Sequence, residues 1–481
     1  MKVDRINKTI AVGVPGNACN LRCEYCYVSH QAINQKIEAP IYNYSVEHMI
    51  YAFRPERIGG ICEIVLCGSA ETLLSNEAIE LAKGLMRYGH VVTIVSNATL
   101  SKQIDKLLDI EPIYRKNLIF KASFHYDELL NRGLIDTYFQ NLHRIVDSGA
   151  SVFPTVILSK RNIDMIEEIS KLFYQEFDEA PYSTPCFDVD DDDDLRFRLK
   201  LAPEIDSETK KKICKFLPSK VFEETLRFTK IDPHNHFCYA GKWGYIVDMS
   251  NGNVDRCIQN STGMNFFENT DQVFEIENPV AYSCGIHSCF CKYNYFALGL
   301  MPDAKSIYTY GDLIYKKAFI SEHIRNVLNV DFSKVYGEEE LNQKLNHAKE
   351  AYKEQRELML NSYMWMKDEC KKHGIDTNVL WGNPFIRKEV KRAVQNSKKI
   401  VVYGIGRKYE QWKTIIDFDI SFFLKTTATE GEMFEGKHVY TPEYLRNVDK
   451  QDYFVVIAGK AHKEMSCKLE SLGLKEKENF V

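Results

Sequence analysis

Three cysteines stand at Cys19, Cys23 and Cys26, spaced C-x3-C-x2-C, directly after an apolar segment, Thr9 to Val14. Packing offers no reason for so many thiols in one short stretch. Thiolate is the protein ligand that iron–sulfur clusters use, and three from one loop can converge on a single cluster. Three ligands leave one iron of a four-iron cluster with no protein ligand. An open coordination position is what a catalytic metal site keeps and a structural one closes. The spacing therefore predicts a reactive cluster. The alternatives are a zinc knuckle, for which no fourth ligand is nearby, and thiols that bind nothing.

Composition narrows the setting. At 481 residues two or three domains are expected, and a 44 % hydrophobic content suffices for a large core. A formal net charge of −5 argues against a nucleic-acid surface spread over the chain. No targeting segment is visible at the start, and no apolar run reaches the roughly 18 residues of a membrane helix. The expectation is a cytoplasmic protein with no membrane and no nucleic-acid partner. In a reducing compartment, clustered cysteine reads as metal binding or catalysis before disulfides. The 14 cysteines form two tight groups plus Cys62, Cys67, Cys186, Cys214, Cys370 and Cys467, most of which read as small buried hydrophobes.

The elements that must position the first group alternate in type. Thr9–Val14, Ile61–Cys67, Val91–Ser96, Leu118–Ser123, Val152–Leu158 and a possible Tyr182–Phe187 are short apolar runs. Amphipathic stretches such as Asn76–Tyr88 and Leu129–Ser148 lie between them. Strands alternating with helices imply βαβ units and a parallel sheet. Six strands suit a partial (β/α)6, TIM-like barrel, whose chemistry gathers at the C-terminal ends of the strands. Each motif falls at such an end. The cysteine loop follows the first strand, Gly68-Ser69-Ala70-Glu71-Thr72-Leu73-Leu74 the second, Ser96-Asn97-Ala98-Thr99-Leu100 the third, and Ser123-Phe124-His125 the fourth.

Together these motifs resemble the radical SAM superfamily. The cysteine loop, with aromatic Tyr25 before its third thiol, is similar to that family's cluster loop. Gly68–Leu74 resembles its "GGEPLL" segment, with Ser69 and Ala70 in place of glycine, Thr72 in place of proline, and Glu71 kept. Ser96–Leu100 resembles the "TNGTLL" turn, with Ala98 for glycine. Ser123 and His125 occupy the region that faces the ribose, with histidine where aspartate is common. The resemblance implies that Cys19, Cys23 and Cys26 hold a [4Fe-4S] cluster whose open iron binds S-adenosylmethionine (SAM). It implies that Tyr25, Gly68, Ser69, Ala70, Glu71, Asn97, Ser123 and His125 bind the cofactor. One electron, from a flavodoxin or ferredoxin type donor, then cleaves SAM to a 5′-deoxyadenosyl radical that removes a substrate hydrogen.

An acidic run, Asp188–Asp194, cannot pack as a strand, because like charges repel and Asp favours turns. It reads as a solvated connector leaving the barrel, with calcium binding as the alternative. Beyond it Cys238, a Gly252 turn and Cys257 are spaced C-x13-G-x4-C, and Cys284, Cys289 and Cys291 follow. Asn251-Gly252 is a hairpin signal that places Cys238 and Cys257 at the outer ends of one β-hairpin. This field resembles the SPASM/twitch extension of radical SAM enzymes. The resemblance implies one auxiliary [4Fe-4S] cluster on Cys238, Cys257 and two of the other three, although Cys284-x4-Cys289-x-Cys291 departs from the usual run. A structural zinc site is the alternative.

Phe319–His373 reads as a helical connector with Gly374 as its stop, and the aromatic and methionine residues of Tyr363–Met366 as core. From Lys399 a strand, the turn Gly404-Ile405-Gly406 and a helix, Glu410–Ile416, begin a small Rossmann-like αβ unit; Tyr453–Gly459 is a later buried strand. This unit, with its closing Leu472–Val481, resembles modules attached to bacterial carbohydrate and nucleotide-sugar enzymes. Tyr409 replaces the third glycine of a dinucleotide fingerprint, so a docking or dimerising role is favoured over cofactor binding. The expected domains are a radical SAM barrel over 1–187, an auxiliary Fe–S domain over 188–300, a linker over 301–396 and the Rossmann-like domain over 397–481. The expected activity is hydrogen abstraction from a small polar molecule, such as a sugar or nucleotide-sugar, for oxidation or epimerisation. The C-terminal module favours this, as does the first strand starting too early to leave room for a leader-recognition domain. The alternatives are a peptide or protein substrate and a non-catalytic Fe–S redox or binding protein.

Overall fold

A computed structural model describes residues 5–26, 40–68, 70–189, 199–201, 203–231, 233, 236–257, 260–282, 284, 289, 293–350, 390, 393–394, 396–406, 409, 419–458, 462–475 and 478–480. The chain forms two compact units: Met1–Asp188 with Leu199–Tyr352, and Val189–Arg198 with Lys353–Val481.

The first unit is built on one large sheet. Its strands are β1 (Thr9–Val14), β2 (Glu63–Gly68), β3 (Val91–Ser96), β4 (Leu118–Phe124), β5 (Ser151–Val152), β6 (Thr155–Leu158) and β7 (Tyr182–Pro185). Short strands β8 (Phe187–Val189) and β9 (Leu199–Leu201) flank the acidic run, most of which lies outside the described residues. Three more strands follow, β10 (Gly244–Asp248), β11 (Asn253–Cys257) and β12 (Asn260–Asn265). The order across the sheet is β12-β11-β10-β1-β2-β3-β4-β6-β7, with β5 beside β4. Every pairing from β1 to β7 is parallel. This is the mixed α/β architecture with a large parallel sheet that alternating strand and helix patterns imply.

Three expectations need correction. The run Val152–Leu158 is not one strand: Pro154 has no N–H for the ladder, so β5 ends before it and β6 begins after it. The stretch Leu129–Ser148 is not one helix. Gly133, at φ 64°, takes the left-handed conformation that closes Tyr126–Asn131, and a new helix starts at Ile135. The hairpin around Asn251-Gly252 forms, β10 antiparallel to β11, but it does not stand apart from the large sheet. Its first strand pairs in parallel with β1, from Thr9↔Gly244 to Gly13↔Asp248. An open sheet edge at β1 presents unpaired N–H and C=O groups, and β10 satisfies them.

The helices form where the periodicity places them. Helix α1 (Asn76–Arg87) is capped by Ser75, whose Oγ accepts from Ala78 N at 3.0 Å, and carries Glu77 in its first turn and Arg87 in its last. Its buried face, including Ile79, Leu81, Ala82 and Leu85, covers one side of the sheet. Nearby, His90 is fully buried. Its Nε2 donates to Phe53 O at 2.8 Å, so Nδ1 is free of a proton and accepts from Cys62 N at 3.0 Å. Burial pushes its pKa down to about 4. The ordinary value is 6.5, so between about pH 6.5 and 4 the unfolded chain takes a proton that the folded one refuses. Stability falls as pH drops through that window, by roughly 3 kcal/mol at 1.36 per pH unit. Denaturant midpoints measured across it should fall less steeply for His90→Gln than for the native protein; equal slopes exclude this account.

After β12 the first unit closes with short helices, including Glu322–Val327, and a helix over 338–350. The rest of the expected connector, with Tyr363–Met366 and Gly374, lies outside the described residues. No helix of the described residues is long and apolar enough to cross a membrane.

The second unit holds a smaller sheet of β13 (Lys399–Tyr403), β14 (Ile420–Leu424), β15 (Met433–Phe434), β16 (Lys437–Tyr440) and β17 (Tyr453–Ile457). Its order is β15-β16-β14-β13-β17, and only β15 runs antiparallel. Alternate residues of β13 enter two separate cores, Ile400 and Val402 on one face, Val401 and Tyr403 on the other. A parallel sheet covered on both faces reads as such a continuous apolar run. The closing segment belongs to the second core through Leu472, Leu474 and Phe480.

Candidate functional site

The sheet brings four separated segments to one end. β1, β2, β3 and β4 are adjacent and parallel, so the chain after each emerges on the same side. The cysteine loop is the first. Cys26 N donates to Cys23 O at 3.1 Å, which turns the loop back on itself. Leu21 N and Asn97 Nδ2 donate to Cys19 Sγ at 3.4 and 3.9 Å. Leu21, 2 % exposed, anchors the loop in the main core.

The second segment enters beneath it. Val14↔Gly68 ends the β1–β2 ladder. A Cβ on Gly68 would lie 2.2 Å from Val14 O, so only glycine allows the approach. Glu71 N donates to Ala18 O at 3.0 Å, tying this segment to the cysteine loop. The Glu71 side chain is 5 % exposed, and its oxygens accept from Leu73 N (3.1 Å), Ser96 Oγ (2.7 Å) and Asn97 N (2.9 Å). Burial pushes its pKa up against the pull of these donors. The carboxylate expected to bind cofactor thus joins the ends of β2 and β3.

Asn97 is similarly engaged. Besides Cys19, its amide donates to Asn20 Oδ1 at 2.8 Å, and its own Oδ1 accepts from Thr99 N at 3.1 Å and Thr99 Oγ1 at 2.6 Å. Ala98, where the family motif has glycine, has φ 59°. That left-handed backbone costs an alanine about 1–2 kcal/mol. The turn is held by Ala98 N donating to Ser96 Oγ at 3.1 Å and by Asn141 Nδ2 donating to Ala98 O at 2.9 Å.

At the end of β4, Ser123 is half-buried. The Tyr25 hydroxyl and His125 Nδ1 are 2.9 Å apart, so the third cysteine's neighbour touches the fourth segment. Burial pushes His125 down to about 4, leaving a neutral imidazole at neutral pH. The described site residues therefore do assemble, with Ala70 3.7 Å from the position of a Cβ on Gly16. Ser69 lies outside the described residues.

Sequence reasoning missed the residues that hold this assembly. Asn20 Nδ2 donates to Thr99 Oγ1 at 2.7 Å, and Arg22 N donates to Glu128 Oε2 at 2.8 Å. Asn20 and Arg22 lie inside the cysteine motif and could have been singled out for that. Glu128 is 106 positions from Arg22, and nothing local marks it.

The donor set fits an iron–sulfur cluster. Cys19 and Cys26 are half-buried and Cys23 is 9 % exposed. Burial first, and the neighbouring thiols next, push the Cys23 thiol far up. Cys19 is raised too, chiefly by burial. Three thiolates this close need a cationic partner, and the N–H groups aimed at Cys19 Sγ suit a metal-bound sulfur. Among the described residues no three Cys, His, Asp or Glu side chains are gathered for a single metal ion. A four-iron cluster gives each thiolate its own iron, so its ligands need not converge that way.

The second cysteine field is partly described. Cys238 N donates to Ala281 O at 3.0 Å, which sets Cys238 beside a chain that reaches Cys284 three residues later. Cys257 ends β11, and a Cβ on Gly241 would meet the side chain of its neighbour Arg256 at 2.9 Å. Cys238 and Cys289 pack against one small cluster of Phe228, Phe296, Met301 and Ala304. Cys291 lies outside the described residues.

Comparison with known proteins bears on the barrel. Residues 14–173 match the family model described as Radical SAM superfamily. No curated protein sequence matches the chain. Among solved structures, Streptococcus suis SuiB bound to S-adenosylmethionine is 16 % identical at a TM-score of 0.39, the match covering 55 % of this chain and 65 % of that one. The chain thus spans a little under two thirds of SuiB. A structure of anSMEcpe with bound AdoMet and a peptide, Cp18Cys, is 14 % identical at a TM-score of 0.38, covering 70 % and 99 %. BtrN in complex with AdoMet and 2-DOIA is 14 % identical at 0.27, covering 57 % and 79 %. The match over 14–173 spans the cysteine loop and the three strand-end segments that converge with it. Residues 14–173 are thus similar to a Radical SAM superfamily domain, and that similarity indicates an enzyme.

Proposed function

We propose that Cys19, Cys23 and Cys26 hold a [4Fe-4S] cluster with SAM, and that the enzyme abstracts hydrogen from a small polar substrate for oxidation or epimerisation. The observation that carries this reading is the junction of four strand ends by Glu71, Asn97 and the Tyr25–His125 pair. When bound, the cluster and SAM supply one-electron cleavage to a hydrogen-abstracting carbon radical. The chain's own part is to hold the cysteine loop: Asn97 supports Cys19, Glu71 fixes Asn97, and Glu128 holds Arg22. Tyr25, Gly68, Ser69, Ala70, Glu71, Asn97, Ser123 and His125 remain the proposed contacts to SAM. A flavodoxin or ferredoxin type donor and a cytoplasmic setting complete the proposal.

For substrate class, the C-terminal module, with its largely parallel sheet, favours a small polar molecule. The reconstituted enzyme, with dithionite and SAM, should form 5′-deoxyadenosine faster with a nucleotide-sugar mixture than alone. Acceleration by a peptide library and not by the sugars overturns this choice. The C-terminal module is proposed as a docking or dimerising unit.

An auxiliary [4Fe-4S] cluster on Cys238, Cys257 and two of Cys284, Cys289 and Cys291 is part of the same proposal. The placement of Cys238 near the Ala281–Cys284 chain and near Cys289's core supports it. The full chain with Cys19, Cys23 and Cys26 all changed to alanine should keep about half of the native iron and a charge-transfer absorbance. Loss of all iron, or zinc in its place, removes the auxiliary cluster from the scheme.

A further inference from the structure

The inner side of the parallel strands carries a cation with no ion pair among the described residues. In β2, β3 and β4 the residues facing the helices, such as Leu66, Ile94 and Phe120, are fully buried or nearly so. The alternate positions Cys67, Val95 and Lys121 keep partial exposure although they sit in the middle of a sheet. Side chains alternate between faces, so these three share the inner face, and water reaches them there. The register sets them in one row: Gly13 pairs with Cys67, Leu66 with Ile94 so that Cys67 and Val95 follow, and Val95 with Lys121. The row lies one step inward from the strand ends that carry the cysteine loop, Gly68 and Asn97.

Lys121 keeps part of its surface accessible on this inner face. Its Nζ stands 5.6 Å from the centre of the Phe153 ring and 5.4 Å from that of Tyr293. It has no hydrogen-bond acceptor and no ion pair among the described residues. The charge of Glu63 acts on the ammonium through space, without an ion pair. Its carboxylate is instead engaged by hydroxyls: Glu63 accepts from Thr9 Oγ1 (2.9 Å), Thr93 Oγ1 (3.2 Å) and the Tyr310 hydroxyl (2.9 Å). A partly buried ammonium with no ion pair among the described residues is costly to keep charged, and a bound anion would repay that cost.

We propose that Lys121 is the substrate anchor of this enzyme, its ammonium binding an oxyanion, carboxylate or phosphate, of a small molecule in the barrel lumen. The assignment deepens the small-polar-substrate reading above and rests on it. The aromatic faces of Phe153 and Tyr293 form the walls beside the anion, and Cys67 and Val95 share its row. Burial draws the Lys121 pKa down, and a bound anion draws it back. The amine is therefore reactive when the lumen is open and protected when an anion is held.

The test uses the full chain, cluster-reconstituted and anaerobic, with SAM. Acetylation of Lys121 by acetic anhydride is followed by peptide mass spectrometry with inorganic phosphate, gluconate or neutral glucose present. One or both anions should slow Lys121 acetylation about tenfold, the effect of one charge-assisted hydrogen bond, and glucose should not. Phosphate alone identifies a phosphoryl substrate and gluconate alone a carboxylate. Equilibrium dialysis of the protecting anion should show about tenfold weaker retention by Lys121→Met and near-native retention by Lys121→Arg. Protection by neither anion, equal protection by glucose, or unchanged retention by Lys121→Met overturns the proposal. Acetylation is read on the native chain, so the result does not depend on a variant folding. Failure of the native enzyme to form 5′-deoxyadenosine strikes the function reading instead, and leaves the protection result legible.

Discussion

Alanine at Cys23 is expected to abolish 5′-deoxyadenosine formation in the dithionite-reduced enzyme and to lower iron by the content of one cluster. Cys23 is the most buried of the three thiols at the site, packed with the main core, so no outside ligand can readily replace it. The loss should exceed the roughly 10- to 100-fold that removing an outer-shell partner costs. Asn97→Ala supplies that comparison, because Asn97 reaches Cys19 Sγ through one long N–H···S contact while holding Asn20. It should weaken the cluster without removing it. The fold should survive Cys23→Ala at a cost of about 1 kcal/mol for a small buried side chain. Unchanged 5′-deoxyadenosine yield from a folded Cys23→Ala protein would dispose of the cluster assignment.

Glu71 carries the second large effect, and on stability before activity. Its carboxylate answers three buried donors from two strand ends, and Glu71→Ala strands Leu73 N, Ser96 Oγ and Asn97 N together. At about 1–3 kcal/mol for each abandoned buried donor, partly offset by rearrangement, the cost should be about 3–5 kcal/mol. Glu71→Gln keeps one accepting oxygen but turns an NH2 toward the remaining donors, so its loss should be intermediate. Denaturant midpoints measure this directly. SAM cleavage should fall in step with stability, since the same carboxylate sets Asn97 under Cys19. A Glu71→Ala protein of native stability that no longer binds SAM would mean that the carboxylate serves the cofactor and not the scaffold.

Glu71 also shows where residue patterns stop informing. Its motif marked it as important, and the strand end on which it stands was readable from the apolar run before it. What its oxygens touch was not readable, because Ser96 and Asn97 lie 25 and 26 positions away and come near only when β2 and β3 pair. Ala98 was legible in part. A residue standing where a motif has glycine flags a left-handed turn, and φ 59° is there. The broken helix at Gly133 was legible after the fact, since a lone glycine within an amphipathic stretch marks a possible stop. Pro154 carried the same kind of warning for the fifth strand. The hairpin at Asn251-Gly252 was marked by its turn residues, yet its seat on the β1 edge was not. Turn chemistry is local, whereas β1 and β10 are paired across more than two hundred residues.

By itself, the sequence determined the cysteine loop, the parallel α/β class, and the strand ends on which the motifs fall. Each of these follows from short-range rules: ligand spacing within a loop, alternation along a strand, glycine and proline in turns. Only the tertiary structure decided which faces and neighbours those residues have. Lys121 reads as one charged residue within an apolar strand. It becomes a lumen cation because the register sets it level with Val95 and Cys67 while three hydroxyls engage Glu63. Register is a property of pairs of strands, and a shift of one residue would turn Lys121 toward the helices.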